Sequence, residues 1–142
     1  MNAEGREQRL QLMMELANSS PFYRFYEMEI VEIGEGTSRL VLPVKEELTN
    51  LYGIMHGGAL AALLDSSCSF AIASMLDEGE TMVTLDMRVN FTGNVSQGVI
   101  TGRGKALHRG KTTGVANAEL RDDSGVLLAC GMSTCYIRKY EG

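Results

Sequence analysis

The stretch from residue 50 to residue 76, NLYGIMHGGALAALLDSSCSFAIASML, constrains the fold more than any other part of the chain. After a loop and a glycine pair, apolar side chains dominate from Gly57 onward and leave no polar face wide enough to meet water. A helix that is apolar all round is a buried helix. We therefore predict one long central helix over about residues 57–76, around which the rest of the chain must pack.

One carboxylate, Asp65, interrupts this apolar helix. Aspartate is a poor helix former, and an unpartnered buried charge would cost several kcal/mol or shift its pKa. A structural alternative is that Asp65 lies on a partly wet stripe with Ser66 and Ser69, or pairs with a basic side chain at a sheet edge. The pattern favours a functional carboxylate over this alternative.

Composition narrows the classes of protein that the chain can represent. A length of 142 residues predicts one domain over residues 1–142, and a net charge of -5 argues against a nucleic-acid surface. Three cysteines and two histidines at unsuitable spacings form no recognisable zinc site. The odd cysteine count and the absence of a signal-like start predict a cytoplasmic protein with reduced thiols. The longest apolar window is broken by polar residues, so no membrane partner is expected.

The remainder of the chain reads as one helix and six strands. Methionines and leucines at helical spacing predict an N-terminal helix over about residues 6–18. Alternating patterns then predict strands near residues 28–34, 36–45, 81–92, 97–108, 111–122 and 126–138. Short connections favour an antiparallel meander of the last four strands. The expected fold is α+β, with a curved sheet of five or six strands that wraps the central helix on all sides.

The strand over residues 81–92 shows the clearest alternation in the chain. Val83, Leu85, Met87, Val89 and Phe91 alternate with Thr84, Asp86, Arg88 and Asn90. Because side chains along a strand point to opposite faces in turn, we expect one apolar face and one polar face here.

The start of the central helix and Asp65 together carry the groups that acyl hydrolysis needs. The Gly57 N–H is an unsatisfied donor of the first turn, where it could stabilise an oxyanion, and Asp65 could act as general base or nucleophile. The two residues are eight positions apart, about 12 Å along the helix axis. We therefore do not expect one protomer to place the Gly57 N–H and the Asp65 carboxylate at the same carbonyl. A two-fold dimer with antiparallel helices would place Gly57 of one chain near Asp65 of the other, so we predict a homodimer.

Three polar residues flank this helix in sequence. Asn50 and Thr84 could orient the carbonyl or a water molecule, although a loop cap and a surface strand position explain them equally well. His56 precedes the helix, where it could act beside the leaving group, or could cap or set the helix start.

The residues Asn50 and GIMHGGALAALLD, from Gly53 to Asp65, resemble the signature of hotdog-fold acyl-CoA thioesterases of the phenylacetic-acid-degradation type. The resemblance covers roughly residues 28–138 and implies the hotdog fold. It implies that Asp65 activates water or attacks the thioester, that Gly57 polarises the carbonyl, and that Asn50 assists from the same subunit as Gly57. It also implies that Thr84 helps to position the water and that sites lie between subunits of dimers, which often pair into tetramers.

The same resemblance suggests how coenzyme A is held. Arg109, Gly110 and Lys111, in the HRGKT turn, are the expected substrate-binding residues for its phosphates, although solvated turn charges would look the same in sequence. No metal or redox cofactor is implied.

The sequence leaves the substrate and two other functions open. The expected reaction is hydrolysis of an aromatic or medium-chain acyl-CoA to the free acid and CoA. One alternative is a hotdog enoyl-CoA hydratase or dehydratase, in which His56 and Asp65 would converge across the dimer. The other is a non-catalytic acyl-CoA-binding module.

Overall fold

A computed structural model describes residues 1–141. Two helices open the chain, α1 (Ala3–Asn18) and α2 (Pro21–Tyr26), and the central helix is α3 (Gly57–Ala73). The strands are β1 (Glu29–Gly34), β2 (Thr37–Pro43), β3 (Glu80–Phe91), β4 (Val99–Arg109), β5 (Thr113–Arg121) and β6 (Leu127–Lys139). The α+β prediction of a curved antiparallel sheet around one helix, with an extra N-terminal helix, is confirmed. No helix within residues 1–141 is long and apolar enough to span a membrane.

The six strands lie in the order β1-β2-β4-β5-β6-β3. The predicted meander of the last four strands is therefore wrong for β3, which pairs with β6 and has no ladder with β4. The physical reason is that β2 and β5 already occupy both edges of β4. Residues 92–98 carry the chain across the end of the sheet, and β3 takes the edge of β6 that remains free.

Helix α3 begins at the predicted residue and ends at Ala73, three residues before the predicted end. It packs on the concave face of the sheet, and its buried side chains meet those of the strands in one core. The largest fully buried side chains of this core include Leu40, Leu42, Leu63, Leu64, Ile72, Ile100, Leu120, Leu128 and Ile137.

The expectation that the sheet buries α3 on all sides is wrong for one stripe. Gly58 is exposed, and Ala61, Ala62, Asp65 and Ser69 are half-buried along a single face of the helix. Gly58, Ala61, Asp65 and Ser69 follow one another at intervals of three or four positions, so they line up along the axis, and Ala62 lies beside them. The sheet wraps most of the helix but leaves this stripe of small and polar residues uncovered within one chain.

Strand β3 departs from regular alternation at Leu85, where the register with β6 shifts between Thr84 and Asp86. This shift is a β-bulge, and it reverses the alternation of side chains between the two faces of the sheet. Even-numbered residues face the helix before Leu85, and odd-numbered residues face it afterwards. Thr84 lies opposite buried Cys135, and Met87 lies opposite buried Ser133, so both face the helix. The predicted split of this strand into one apolar and one polar face is therefore wrong, because the pattern reverses at the bulge.

The two edge strands of the sheet, β1 and β3, differ in how far their own chain covers them. At the β1 edge, the Asn18 side chain accepts from the Ile30 N–H at 2.7 Å and donates to the Ile30 carbonyl at 3.0 Å. At the other edge, β3 pairs with β6 on one side only, and Val83, Leu85 and Phe91 are each more than half exposed. The β1 edge is covered by its own chain, whereas the β3 edge is open.

Candidate active site

Asp65 and Thr84 form the centre of the candidate site. The Thr84 hydroxyl donates a hydrogen bond to Asp65 Oδ1 at 2.9 Å, and the carboxylate is half-buried on the uncovered stripe of α3. None of the five ion pairs within residues 1–141 includes Asp65. The carboxylate therefore lies on a partly wet stripe, as one alternative expected, yet it is oriented by a hydroxyl and keeps free lone pairs for chemistry.

Three buried titratable side chains, Tyr23, Cys68 and Cys135, lie close enough to Asp65 for its charge to affect their pKa. Burial raises the pKa of Tyr23 to about 12, and Ser66 opposes that rise in part while the Asp65 charge adds to it. Burial likewise raises the pKa of the Cys68 thiol to about 12, with Asp65 again contributing. Burial also raises the pKa of the Cys135 thiol. These three groups therefore stay protonated at neutral pH, and none of them adds a charge beside Asp65.

The start of α3 presents the Gly57 N–H as a free donor. His56 is the N-cap residue, and its Nδ1 accepts from the Gly58 N–H at 2.7 Å. The Ala59 and Leu60 N–H groups both donate to the His56 carbonyl. Within the described residues, the Gly57 N–H donates to no protein acceptor. A donor at a helix start carries the positive end of the helix dipole, so this amide can bind a carbonyl oxygen.

Asn50 organises the loop that leads into the helix. Its Oδ1 accepts from the Tyr52 N–H at 2.9 Å and from the Ile54 N–H at 3.4 Å, and its backbone N–H donates to the Ile54 carbonyl. The side-chain oxygen is therefore committed to the loop, which matches the cap alternative. The side-chain NH₂ donates to no acceptor among residues 1–141 and is free for a ligand.

The predicted phosphate-binding turn divides into two kinds of residue. The Arg109 guanidinium pairs with Glu80 and lies 3.6 Å from Asp77, and the side chains of Arg109 and Glu80 are only 15% and 11% exposed. Arg109 also donates to the Met75 carbonyl at 3.4 Å. Lys111 is exposed in the same turn. Arg109 therefore ties the end of α3 to β3. Gly110 is half-buried and its N–H donates to the Thr113 carbonyl, so Lys111 is the predicted phosphate-binding residue of this turn that faces solvent.

The fold brings two further residues to the site that no local sequence pattern marks as functional. Phe91, at the end of β3, lies against the start of α3, since a Cβ on Gly57 would be 3.4 Å from Phe91 Cζ. Tyr23 of α2 packs edge-on to Phe70 of α3, with ring centroids 6.0 Å apart, beside the helix turn that carries Asp65. The aromatic residues at 22–26 are apparent in the sequence, but the place where they pack depends on contacts that are distant in sequence.

Comparisons with known proteins agree with this architecture. The family model described as Thioesterase superfamily matches residues 52–129, which is more than half of the chain and includes Gly57, Asp65 and Thr84. The chain belongs to the thioesterase superfamily. The predicted hotdog thioesterase fold and the predicted thioester hydrolase activity are thereby confirmed.

Individual relatives of this thioesterase agree with the family match. A 1,4-dihydroxy-2-naphthoyl-CoA hydrolase of Listeria monocytogenes is 27% identical over 79% of this chain and 91% of its own length. A crystal structure of a thioesterase from Haemophilus influenzae superposes with a TM-score of 0.86 at 26% identity, over 94% of this chain and 92% of that one. A thioesterase variant from Staphylococcus aureus superposes with a TM-score of 0.81 at 27% identity, over 84% and 99% of the two chains.

Proposed function

We propose that this thioesterase hydrolyses aromatic or medium-chain acyl-CoA esters at sites shared between two subunits of a homodimer. Asp65 acts as general base for a water molecule or attacks the thioester carbonyl itself, and the Gly57 N–H of the partner subunit stabilises the oxyanion. The CoA thiol then leaves. The observation that carries this proposal is the hydrogen bond from Thr84 to Asp65, since it holds a carboxylate without neutralising it.

The contacts of Asp65 support its role in hydrolysis. A general base needs an unprotonated carboxylate that can reach a water molecule. Thr84 fixes one carboxylate oxygen and leaves the other oxygen uncommitted on the uncovered stripe of α3. We assign Thr84 the role of orienting Asp65 and, through it, the attacking water.

The free N–H at the start of α3 supports the oxyanion assignment. Backbone donors aimed at developing negative charge are a large source of catalysis in acyl transfer. His56 caps Gly58 and so leaves the Gly57 N–H available, and the Asn50 NH₂ is a second candidate donor for the carbonyl. We therefore assign His56 the role of setting the helix start, which was one of its two predicted roles.

Three features of the single chain support a two-fold dimer. Gly57 and Asp65 lie about 12 Å apart along α3, too far to act on one carbonyl within a chain. The stripe that carries Asp65 is uncovered and built of small residues that let a second helix approach closely. The open β3 edge exposes Val83, Leu85 and Phe91, and a long apolar edge strand of this kind is normally paired or covered. Association of such dimers into tetramers remains part of the prediction.

Relatives support the substrate class and the site residues. The Listeria relative is named for hydrolysis of an aromatic acyl-CoA, which agrees with an aromatic acyl group here. Staphylococcus aureus structures carry alanine in place of a glutamine and of a glutamate that are fifteen residues apart in that chain, the separation of Asn50 and Asp65 here. Membership of the phenylacetic-acid-degradation type and a cytoplasmic location belong to the same proposal.

The test is thiol release from a small panel of acyl-CoA esters by the wild type and by Asp65→Asn. Because Asn keeps the size of the side chain and loses its basicity, turnover should fall by about a thousandfold or more while substrate binding persists. Near-normal turnover by Asp65→Asn would contradict the proposal. Crotonyl-CoA is included in the panel, and loss of its double-bond absorbance without thiol release would favour the hydratase alternative. Binding of the esters with no thiol release would favour the non-catalytic module.

A further inference from the structure

Cys135 lies next to the contact between Thr84 and Asp65. It is the residue of β6 that pairs with Thr84 of β3, and both side chains face α3. Residues directly opposite each other in an antiparallel pair have Cβ atoms about 4.5–5.5 Å apart, so these two side chains are neighbours. Thr84 is exposed on the open edge strand, whereas Cys135 is 0% exposed. The hydroxyl that orients Asp65 therefore has solvent on one side and a buried thiol on the other.

The Cys135 thiol keeps its hydrogen in this environment. Burial raises the pKa of Cys135, and the Asp65 charge adds to that rise. Hydrogen bonding with the hydroxyls of Ser133, Thr84 and Ser69 opposes the rise only in part. Cys135 therefore offers one S–H donor at neutral pH.

The Thr84 hydroxyl can only accept a hydrogen bond from Cys135. A hydroxyl has one hydrogen and two lone pairs, and Thr84 donates its hydrogen to Asp65 Oδ1 at 2.9 Å. A neutral thiol is a weak donor. The two neighbouring groups are complementary when the Cys135 S–H points to Thr84 Oγ1.

We infer that Cys135 is a positioning residue, whose S–H donates to Thr84 Oγ1 and so holds the threonine in the rotamer that donates to Asp65. This inference rests on the function proposed above, because Cys135 acts only through Thr84 and Asp65. The χ1 angle of threonine has three staggered positions, and a second contact from the buried side selects one of them. Successive hydrogen bonds also polarise one another, which strengthens the bond to the carboxylate.

The other two thiols lack this arrangement. Cys68 of α3 is equally buried, but its S–H donates to the Ala116 carbonyl at 3.7 Å. Cys130 is five residues before Cys135 on β6, so it lies on the opposite face of the sheet. Cys68→Ala is therefore the matched control, since it removes a buried thiol that does not donate to Thr84.

The experiment measures kcat and KM for one hydrolysed acyl-CoA ester. Cys135→Ala and Cys135→Ser have side chains of similar size but only serine keeps a donor, and Cys135→Val fills the space of the thiol without a donor. In the Ala and Val variants, kcat should fall by about two- to tenfold at unchanged KM, the value of one hydrogen bond between neutral groups. Cys135→Ser and Cys68→Ala should stay within about twofold of the wild type. Equal losses in the Ala and Ser variants, or wild-type kcat in Ala and Val, would overturn the inference.

A double-mutant cycle tests whether Cys135 acts through the threonine. Thr84→Val has no oxygen to accept the S–H, so the addition of Cys135→Ala should leave the kcat of Thr84→Val unchanged. A role in packing alone would lower kcat by the same factor in both backgrounds, and that outcome would contradict the inference.

The χ1 rotamer of Thr84 provides a measurement that needs no turnover. Three-bond couplings from the Thr84 methyl carbon to the backbone nitrogen and carbonyl carbon report this rotamer by NMR. We expect one rotamer in the wild type and Cys135→Ser, and averaged couplings in Cys135→Ala and Cys135→Val; identical couplings in all four proteins would refute the positioning role. If the wild type hydrolyses no ester, the proposed hydrolysis fails, and these couplings alone decide whether Cys135 holds Thr84.

Discussion

The Thr84 hydroxyl donates to Asp65 Oδ1 at 2.9 Å, and this contact joins the edge strand β3 to the central helix α3. It exists because the bulge at Leu85 turns Thr84 toward the helix and aligns it opposite Cys135. Bulges recur beside active sites, where they re-aim a side chain. The one-residue bulge in β3 therefore places the hydroxyl that orients the Asp65 carboxylate.

Removal of this hydroxyl should slow turnover without loss of the fold. Thr84→Val keeps the size and branching of the side chain and deletes the donor, so we expect kcat to fall by about 10- to 100-fold, the value of a hydrogen bond to a charged group. Thr84→Ser keeps the donor and should stay within about threefold of the wild type. Thiol release at saturating substrate measures both. Wild-type kcat in the Val variant would show that the contact has no catalytic role.

His56 should stabilise the folded protein because its side chain caps the start of helix α3. His56→Ala leaves the Gly58 N–H without an acceptor and should lower the free energy of unfolding by about 1 kcal/mol in urea titrations. His56→Asn restores a capping oxygen and should recover most of that loss, together with most of the turnover. If the Asn variant is stable but inactive, the imidazole itself takes part in the reaction and our assignment is wrong.

Substitutions in the HRGKT turn should distinguish a structural role of Arg109 from a substrate-binding role of Lys111. Arg109→Ala leaves the largely buried Glu80 without its partner, so the free energy of unfolding should fall by about 3 kcal/mol. Lys111→Ala should leave stability unchanged and raise KM for acyl-CoA by about threefold, as expected for an exposed charge on a phosphate. Lys105→Ala is the matched control.

The same acyl group on N-acetylcysteamine provides the second control for Lys111. This thioester has no phosphates, so its KM should be the same for the wild type and Lys111→Ala. A rise in KM for both esters would place Lys111 away from the CoA phosphates.

The burial of the Cys68 thiol should make the protein less stable as the pH becomes alkaline. The Cys68 pKa rises from 9.0 to about 12 on folding, so the unfolded chain loses this proton first as the pH increases. Stability contributed by the neutral thiol is complete below pH 9 and is lost as the pH rises toward 12. In Cys68→Ala, the slope of unfolding free energy against pH in this window should be shallower by about 1.4 kcal/mol per pH unit. Urea titrations across the window measure it, and identical slopes would contradict the burial of this thiol.

The central helix and its chemistry could be predicted from sequence because they depend on local pattern. The apolar run places α3, the glycine pair places its start at Gly57, and Asp65 stands out as the one carboxylate within it. The family signature coincides with this segment, so the expected site and the observed helix agree.

Features that depend on contacts distant in sequence were not predictable in the same way. Alternation in residues 81–92 does not reveal the bulge at Leu85, which arises from pairing with β6. A turn arginine looks the same whether it meets solvent or Glu80, and only the fold brings Arg109 and Glu80 together. The position of β3 at the sheet edge follows from β4 being paired on both sides, a fact that short connections obscure.

Each proposed site contains residues of two chains, and two complementary variants test this arrangement directly. Gly57→Pro removes the N–H, and proline suits the first helical position because His56 already has φ −63° and ψ 136°. Gly57→Ala is its control, since it keeps the N–H and its Cβ would make an ordinary contact of 3.4 Å with Phe91. Asp65→Ala removes the carboxylate from the other half of the site.

The decisive measurement is thiol release after Gly57→Pro and Asp65→Ala chains, each inactive alone, are mixed in equal amounts and allowed to exchange subunits. Random exchange makes half of the dimers mixed, and each mixed dimer has one complete site of two, so activity should recover to about a quarter of the wild type. Native mass spectrometry confirms that mixed dimers form. Mixed dimers with no activity above that of the separate variants would contradict a site shared between two chains.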